Sequence, residues 1–317
     1  MNIVLPKCAV LELTYRCNHK CKFCSCPWYA PNSSYPVGDE LDLSQWKQVI
    51  KRLYDSGIEA ISISGGECLL KDCLPDILQF INEESQKRNL HKEIVLISNG
   101  LLMSHDYLKL FKQYHVHLSM SLPGVETFEE HTGVNNASGV LRWFQEAKAI
   151  GLKTTVNITV TQRNYHELFW TISLGLINGA SSILLNRFLP GGRGLIYKEE
   201  LALSSTQLNG MLDTAEEVLT LSNRYGHVGT EIPLCALPWL SLPGNCCAPM
   251  MTVSLPFSLL MRSTTVSRAF IFWNLSASKS RKLVCIPPLP SMLITTTPAR
   301  LYWYPERYNL VRHSLAF

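Results

Sequence analysis

Up to about residue 230, segments in which apolar and polar residues alternate take turns with segments in which apolar residues recur every three or four positions. The first kind predicts strands over residues 9–14, 58–64, 93–98, 116–122, 153–160 and 181–188. The second kind predicts helices between them. Trp46, Val49, Ile50 and Leu53 share one helical face, Gly57 can stop that helix, and Asp42 followed by Gln45 resembles a capping box. Residues 137–150 repeat the pattern, with Val140, Leu141 and Phe144 on one face and Gly151 as the stop. Residues 72–88, 104–114, 164–177 and 205–225 complete the series. Six βα units in a row predict an α/β fold with a parallel sheet and right-handed crossovers, as a barrel or a doubly wound sheet.

The strand patterns favour a barrel. Val116, Leu118, Met120 and Leu122 alternate with His117, Ser119 and Ser121, and Val156, Ile158 and Val160 alternate with Thr155, Asn157 and Thr159. A strand covered by helices on both faces reads as a continuous apolar run. These strands have one apolar face, suited to helices, and one small polar face, suited to lining an interior with room for a ligand. A half-exposed sheet is the simpler alternative.

Composition adds a boundary. With 46% hydrophobic and 17% charged residues, the 317-residue chain is not of the disordered class. Its net charge of +4 is uneven. Residues 1–231 carry 24 acidic and 21 basic residues, whereas 232–317 carry one acid, Glu306, and eight Lys or Arg. All 18 glycines lie at or before Gly244. The uncharged run 232–261 is long enough to span a bilayer but holds five prolines, which argues against a membrane helix. No secretory signal pattern opens the chain, and clustered cysteines without one point to a reducing compartment, the cytoplasm.

The strongest chemical signal is Cys17, Cys21 and Cys24, directly after the first strand. Three thiolates from one loop can reach one metal centre, and iron–sulfur clusters usually take four cysteines. One iron would remain open, although Cys26 is near enough in sequence to be a fourth ligand. Structural zinc and reduced buried cysteines are the competing readings, zinc being the more specific. Zinc usually pairs two short ligand spacings, and the next cysteines here are Cys68 and Cys73. His19 could join a zinc site, but between Cys17 and Cys21 it reads as a solvated loop residue. Gly65, Gly66 and Glu67 close the second strand, where glycines let a ligand approach the backbone and a carboxylate can accept from an ammonium. Ser98 and Asn99 end the third strand, Ser121 the fourth, and Asn157 lies on the polar face of the fifth. Ligands of parallel sheets sit at such carboxyl ends.

With these residues in place, residues 8–230 resemble the radical S-adenosylmethionine (SAM) superfamily. The match lies in the Cys17, Cys21, Cys24 spacing with aromatic Phe23 before the third cysteine. The resemblance implies a partial (β/α)6 TIM-like barrel over residues 1–230. It implies that the three cysteines hold a catalytic [4Fe-4S] cluster whose unique iron binds SAM. One-electron reduction would cleave SAM to methionine and a 5′-deoxyadenosyl radical that abstracts hydrogen from a substrate. By the same resemblance Gly65, Gly66 and Glu67 contact the SAM amino group, Ser98, Asn99 and Ser121 lie near its ribose and methionine moieties, and Phe23 lies by the adenine. An electron donor such as flavodoxin or ferredoxin is implied.

The segment Asn186 to Gly194 resembles one found in members carrying a carboxyl-terminal SPASM domain, which modify peptide or protein side chains. Arg187 could pair with the SAM carboxylate or the substrate, whereas Arg193 reads as solvated. A leader-peptide-binding function, if needed, is expected from a separate protein. Substrates of other classes, a small molecule or a nucleic acid, form the alternative, and the acidic barrel portion weakens the nucleic-acid case. A zinc-binding or redox-sensing protein without radical chemistry is the reading from another class.

The SPASM pattern is not carried through. Cys235, Cys246 and Cys247 could serve one auxiliary iron–sulfur cluster, but only Cys285 follows them. Residues 231–317 read as a truncated SPASM-like or disordered extension, and as degenerate or out-of-frame sequence, because 245–317 lack both glycine and aspartate, the residues turns favour. A divergent domain with its own fold is the other reading. Cys8 reads as core, and Cys68 as a buried or spectator thiol, with a role in substrate chemistry as the alternative; Cys73 remains unassigned. If the extension is out of frame, the coding sequence should hold a single-base shift near codon 248 that restores a cysteine-rich reading. Stop codons in every alternative frame would overturn the idea.

Overall fold

The computed structural model describes residues 7–35, 37–91, 93–230, 292–294 and 301–303. Seven parallel strands run β1 (Cys8–Glu12), β2 (Ala60–Ser64), β3 (Glu93–Ser98), β4 (His117–Ser121), β5 (Thr154–Val160), β6 (Ser182–Arg187) and β7 (Tyr225–Val228), paired in chain order. The crossovers carry α1 (Leu43–Asp55), α2 (Leu74–Lys87), α3 (His105–Gln113), α4 (Phe128–Thr132) with α5 (Ala137–Ala149), α6 (Leu168–Ile177), and α7 (Lys198–Leu201) with α8 (Ser205–Ser222). This is an α/β fold, a partial TIM-like barrel. On the far side of β1 the sheet gains β8 (Met292–Ile294), parallel to β1, and β9 (Leu301–Trp303), antiparallel to β8. Apart from these two strands, the carboxyl-terminal extension lies outside the described residues.

Local chemistry explains the elements. Asp42 caps α1 by accepting from the Gln45 amide at 2.8 Å, while Gln45 accepts from the Asp42 amide at 2.9 Å, so the expected capping box is complete. Trp46, Ile50 and Leu53 are buried on the face set by their spacing, each contributing roughly 1.5–3 kcal/mol of transfer free energy. A second box, Ser204 with Gln207, starts α8.

Two boundaries differ from the sequence expectation. The helix expected over 164–177 opens with a 3-10 turn at Tyr165–Glu167, and α6 begins at Leu168. The reason is that Asn164 turns its side chain onto the carbonyls of Pro123 and Thr159. The helix expected over 205–225 ends at Ser222, with Asn223 left-handed at φ 51°. The chain then enters β7, a seventh parallel strand. It is only four residues long, too short to show an alternating pattern.

The two strand faces sort as expected. Leu118, Met120, Val156, Ile158 and Val160 are buried on the helix side, where Gly175 of α6 lies so close that an added Cβ would meet Val156 at 3.1 Å. The other face joins polar groups across strands. His117 Nε2 and Thr155 Oγ1 are 2.6 Å apart, Thr155 Oγ1 and Ser182 Oγ 2.8 Å, and Asn186 Nδ2 donates to Asn157 Oδ1 at 2.8 Å.

The loop between β4 and α4 is tied to the start of α6 by Glu167. Its carboxylate accepts from the amides of Val125 and Glu126 at 2.8 Å, from the amide of Thr127 at 3.0 Å and from the Thr127 hydroxyl at 2.5 Å. Gly124, at φ +123°, fits because an added Cβ would lie 2.4 Å from Glu167 Oε1. Burial alone would raise the Glu167 carboxyl, but the hydrogen bonds from Thr127 and the loop amides outweigh it and hold the group below the ordinary range. A depressed pKa stabilises the fold above the unfolded-state value, and that stabilisation is lost as pH falls through the folded value. Glu167→Gln is expected to cost about 2 kcal/mol at neutral pH. In urea melts, the gap from the native chain should close as pH is lowered through the folded-state pKa of Glu167.

Candidate active site

Residues 13–26 leave the end of β1 as a loop across the carboxyl edge of the sheet. Backbone bonds fasten it at several strand ends. Near β2, Leu13 N donates to Ser64 O at 3.0 Å, Gly66 N to Thr14 O at 2.7 Å and Glu67 N to Arg16 O at 2.8 Å. Over α4, which follows β4, Lys20 N and Lys22 N donate to Thr132 O and His131 O. Beyond β6, Gly194 N donates to Cys24 O at 3.1 Å. At the end of β3, Asn99 Nδ2 donates to Asn18 Oδ1 at 2.7 Å.

Gly65 and Gly66 owe their identity to this docking. An added Cβ on Gly66 would lie 2.1 Å from Arg16 O, and one on Gly65, at φ +142°, would lie 2.8 Å from Thr14 O. On the side where a Cβ would project, both glycines meet the backbone that leads into the cysteines. Glu67 is likewise committed. It is 1% exposed, and its carboxylate accepts from Leu69 N at 3.1 Å, Ser98 Oγ at 2.8 Å and Asn99 N at 2.8 Å. Burial raises its carboxyl while these donors oppose the rise. Oε1 takes the first two of these donors and Oε2 the third.

Cys17, Cys21 and Cys24 are half-buried, and all the cysteines among the described residues are unbridged. Burial raises the Cys17 and Cys21 thiols, whereas the Cys26 thiol, by hydrogen-bonding to Cys24, lowers Cys24 to about 7. Cys17 Sγ receives the His19 amide at 3.5 Å and faces Asn99 Nδ2 at 4.0 Å. Among the described residues no three His, Cys, Asp or Glu converge on a single metal ion. A cluster places its thiolates on separate irons, so such convergence is not required of its ligands.

Other expected residues separate into two groups. Ser98 and Asn99 adjoin the loop through Glu67 and Asn18, as above. Phe23 lies with its ring 6.0 Å from that of His131. Ser121 and Asn157 face each other in register on the polar side of the sheet. Arg187 stands apart: it shares its register row with Val160, on the helix-facing side, and the polar side at the end of β6 is taken by Asn186. Cys68 is fully buried and donates to Ile97 O at 3.1 Å, in line with a spectator thiol. Cys8 and Cys73 are half-buried. Cys235, Cys246, Cys247 and Cys285 lie outside the described residues.

Three residues read differently in the structure. His19 is not solvated: it is 4% exposed, packs edge-on against Phe128 at 6.2 Å, and burial lowers it to about 4. Arg193 is half-buried. Its guanidinium donates to Cys21 O at 3.2 Å and lies 4.6 Å from the centre of the Tyr29 ring. Glu12, unremarked in the sequence, ends β1 on the row of Ser64. Its Oε2 is buried without a partner, and desolvation first, then Cys24, raise its carboxyl to about 7. Strand alternation could have flagged Glu12, since it follows Cys8 and Val10 on one face.

The donor set suits an iron–sulfur cluster and a polar organic ligand. Three thiols occupy one docked loop, with an amide and a carboxamide N–H at one sulfur. Buried atoms without partners, Glu12 Oε2, Asn18 Nδ2, His19 Nε2 and Ser119 Oγ, belong to the loop or to the sheet's polar face beneath it.

Residues 11–173 match the family model described as the Radical SAM superfamily, and the chain belongs to that superfamily. Enzymes of that superfamily use a [4Fe-4S] cluster and SAM. Among curated relatives, a PqqA peptide cyclase from Xanthomonas euvesicatoria is 28% identical over 218 residues, covering 68% of this chain and 57% of the relative. A probable GTP 3′,8-cyclase from Sulfolobus acidocaldarius is 29% identical over 187 residues, covering 58% and 56%. The chain thus spans little more than half the length of these relatives. Streptococcus suis SuiB bound to its precursor peptide SuiA shares the fold, with a TM-score of 0.59, 17% identity and coverage of 72% of this chain and 49% of that one. So does anSMEcpe with bound AdoMet and a peptide, at 0.56 and 18%, covering 68% and 62%.

Gly66→Ala tests the docking. It should destabilise the chain by about 2 kcal/mol, because the clash is with backbone. Gly57→Ala, whose Cβ would meet nothing within 4 Å, should cost only the left-handed backbone term of about 1 kcal/mol. Thermal melts of the two variants give the comparison, and equal losses would contradict the docking role.

Proposed function

We propose that this chain is a radical SAM enzyme that modifies a side chain of a peptide or protein. Similarity to PqqA peptide cyclases over 68% of the chain carries the substrate class, and the shared fold of peptide-bound SuiB and anSMEcpe supports it. Cys17, Cys21 and Cys24 would hold the [4Fe-4S] cluster. When bound, the cluster and SAM supply a one-electron cleavage that ends in hydrogen abstraction from the substrate.

The chain's own residues prepare that chemistry. The docked loop fixes the three sulfurs relative to the sheet, so little reorganisation accompanies ligand binding. Asn99 and the His19 amide supply donors to Cys17 Sγ, the kind of outer contact that tunes a metal-bound thiolate. Glu67 acts by holding Ser98 and Asn99 in place rather than by presenting a free carboxylate, and a SAM amino group would be held at this strand end beside Gly65 and Gly66. Ser121 and Asn157 offer hydrogen-bonding groups to the polar parts of SAM, and Phe23 an apolar surface to its adenine. Arg187, on the other face of β6, has less support as a partner of the SAM carboxylate. An auxiliary cluster, the electron donor and a separate leader-binding protein remain part of the proposal.

No helix among the described residues is long and apolar enough to cross a membrane.

Anaerobic reconstitution with iron and sulfide tests the reading. The native chain should gain a visible charge-transfer band and, with reductant, cleave SAM. Cys17→Ala, Cys21→Ala and Cys24→Ala should each lose both while keeping the far-ultraviolet circular dichroism of the apo-protein. Given a short peptide encoded beside its gene, the loaded enzyme should change that peptide's mass and leave GTP unaltered. Conversion of GTP alone would replace the peptide reading with a nucleotide one.

A further inference from the structure

The turn after β6 does more than connect two elements. Gly191, Gly192 and Gly194 lie against residues 23–26 of the cysteine loop. An added Cβ on Gly192, at φ +51°, would sit 2.3 Å from Cys26 O and 2.6 Å from Cys24 O, and one on Gly191 3.3 Å from the Ser25 side chain. Such closeness requires glycine and leaves no room for water between the two backbones. Between Gly192 and Gly194, Arg193 reaches over the loop. It donates to Cys21 O at 3.2 Å and stacks on Tyr29, whose hydroxyl donates in turn to Tyr15 O at 2.8 Å. One guanidinium thereby joins β6, the middle of the cysteine loop and the segment leaving β1.

Its charge is also distinctive. Arg16 is paired with Glu40, Lys22 with Glu130 and Glu200, and Arg163 with Glu200. Arg193 has no carboxylate partner within ion-pair distance among the described residues. Its partners are a neutral carbonyl and an aromatic ring, and the guanidinium is a cation. This positive charge therefore acts on whatever negative charge the loop carries.

Resting on the assignment of Cys17, Cys21 and Cys24 as cluster ligands, we propose that Arg193 is a positioning residue that clamps the cysteine loop to β6 and sets the cluster's reduction potential. Uptake of one electron from an external one-electron donor makes the cluster more negative by one charge. A fixed cation a few atoms from one ligand favours the reduced side of that couple. The Tyr29 ring and the Cys21 carbonyl hold the cation in place, so little reorganisation accompanies electron uptake.

The test uses the full chain, loaded anaerobically with iron and sulfide and poised with mediators and dithionite. The cluster's reduced fraction is read by electron paramagnetic resonance. At the native midpoint, Arg193→Gln should lower the reduced-to-oxidised ratio about tenfold, equivalent to about 59 mV for one electron. Arg193→Lys, which keeps the charge, should stay near the native ratio. Loss of iron to a chelator should be faster in Arg193→Gln than in the native chain. Native midpoints in both variants overturn the inference. If Arg193→Gln fails to load while Arg193→Lys loads, and their apo-proteins melt alike, the positioning role stands. If both apo-proteins are unfolded by circular dichroism, the residue is structural and the inference falls. If the native chain itself takes up no cluster, the failure belongs to the ligand assignment instead.

Discussion

The structure depends on fixing a loop that has no secondary structure of its own. Residues 13–26 carry the cysteines, and an irregular segment of this length would ordinarily be mobile. Here backbone bonds from Leu13 to Cys24 spread its attachment over the ends of β1 and β2, the turn of α4 and the segment after β6. Each such bond contributes only about 1 kcal/mol, but together they leave few ways for the loop to move. The glycines follow from the same constraint. Gly65, Gly66 and Gly192 stand where two backbones approach more closely than any Cβ allows.

Below the loop, a parallel sheet separates its two faces by chemistry. The apolar rows meet the helices and supply the core. The polar rows carry hydroxyl, amide and imidazole groups that satisfy one another across strands, as in the His117, Thr155 and Ser182 chain. Buried polar groups are costly unless paired. The few left without partners, Glu12 Oε2 and Ser119 Oγ among them, are where a bound polar molecule would complete the set.

Much of this was legible in the chain. The alternation in β4 and β5 separated polar from apolar faces, the Asp42 and Gln45 pair announced the start of α1, and the cysteine spacing announced the loop. Local rules suffice where a feature depends on neighbours within one element. They did not reach β7, because a four-residue strand has too few positions to show a period. They placed His19 and Arg193 in solvent because polar residues in loops are usually exposed. Both instead meet elements distant in sequence: His19 is buried against Phe128 of α4, and Arg193 is half-buried against Tyr29 and the Cys21 carbonyl.

What the sequence determined by itself was the fold class, the first six βα units and the cysteine spacing, because periodicity and ligand spacing are properties of short segments. What the tertiary structure decided was the work of the residues around those cysteines. Glu67 became an anchor for β3, Gly65 and Gly66 a seat for the loop backbone, and Arg193 a clamp from β6. Arg187 fell on the helix-facing side while Asn186 took the polar one. Each outcome turns on which backbone approaches which across tens of intervening residues, and strand register and crossover geometry fix that only once the whole sheet has formed.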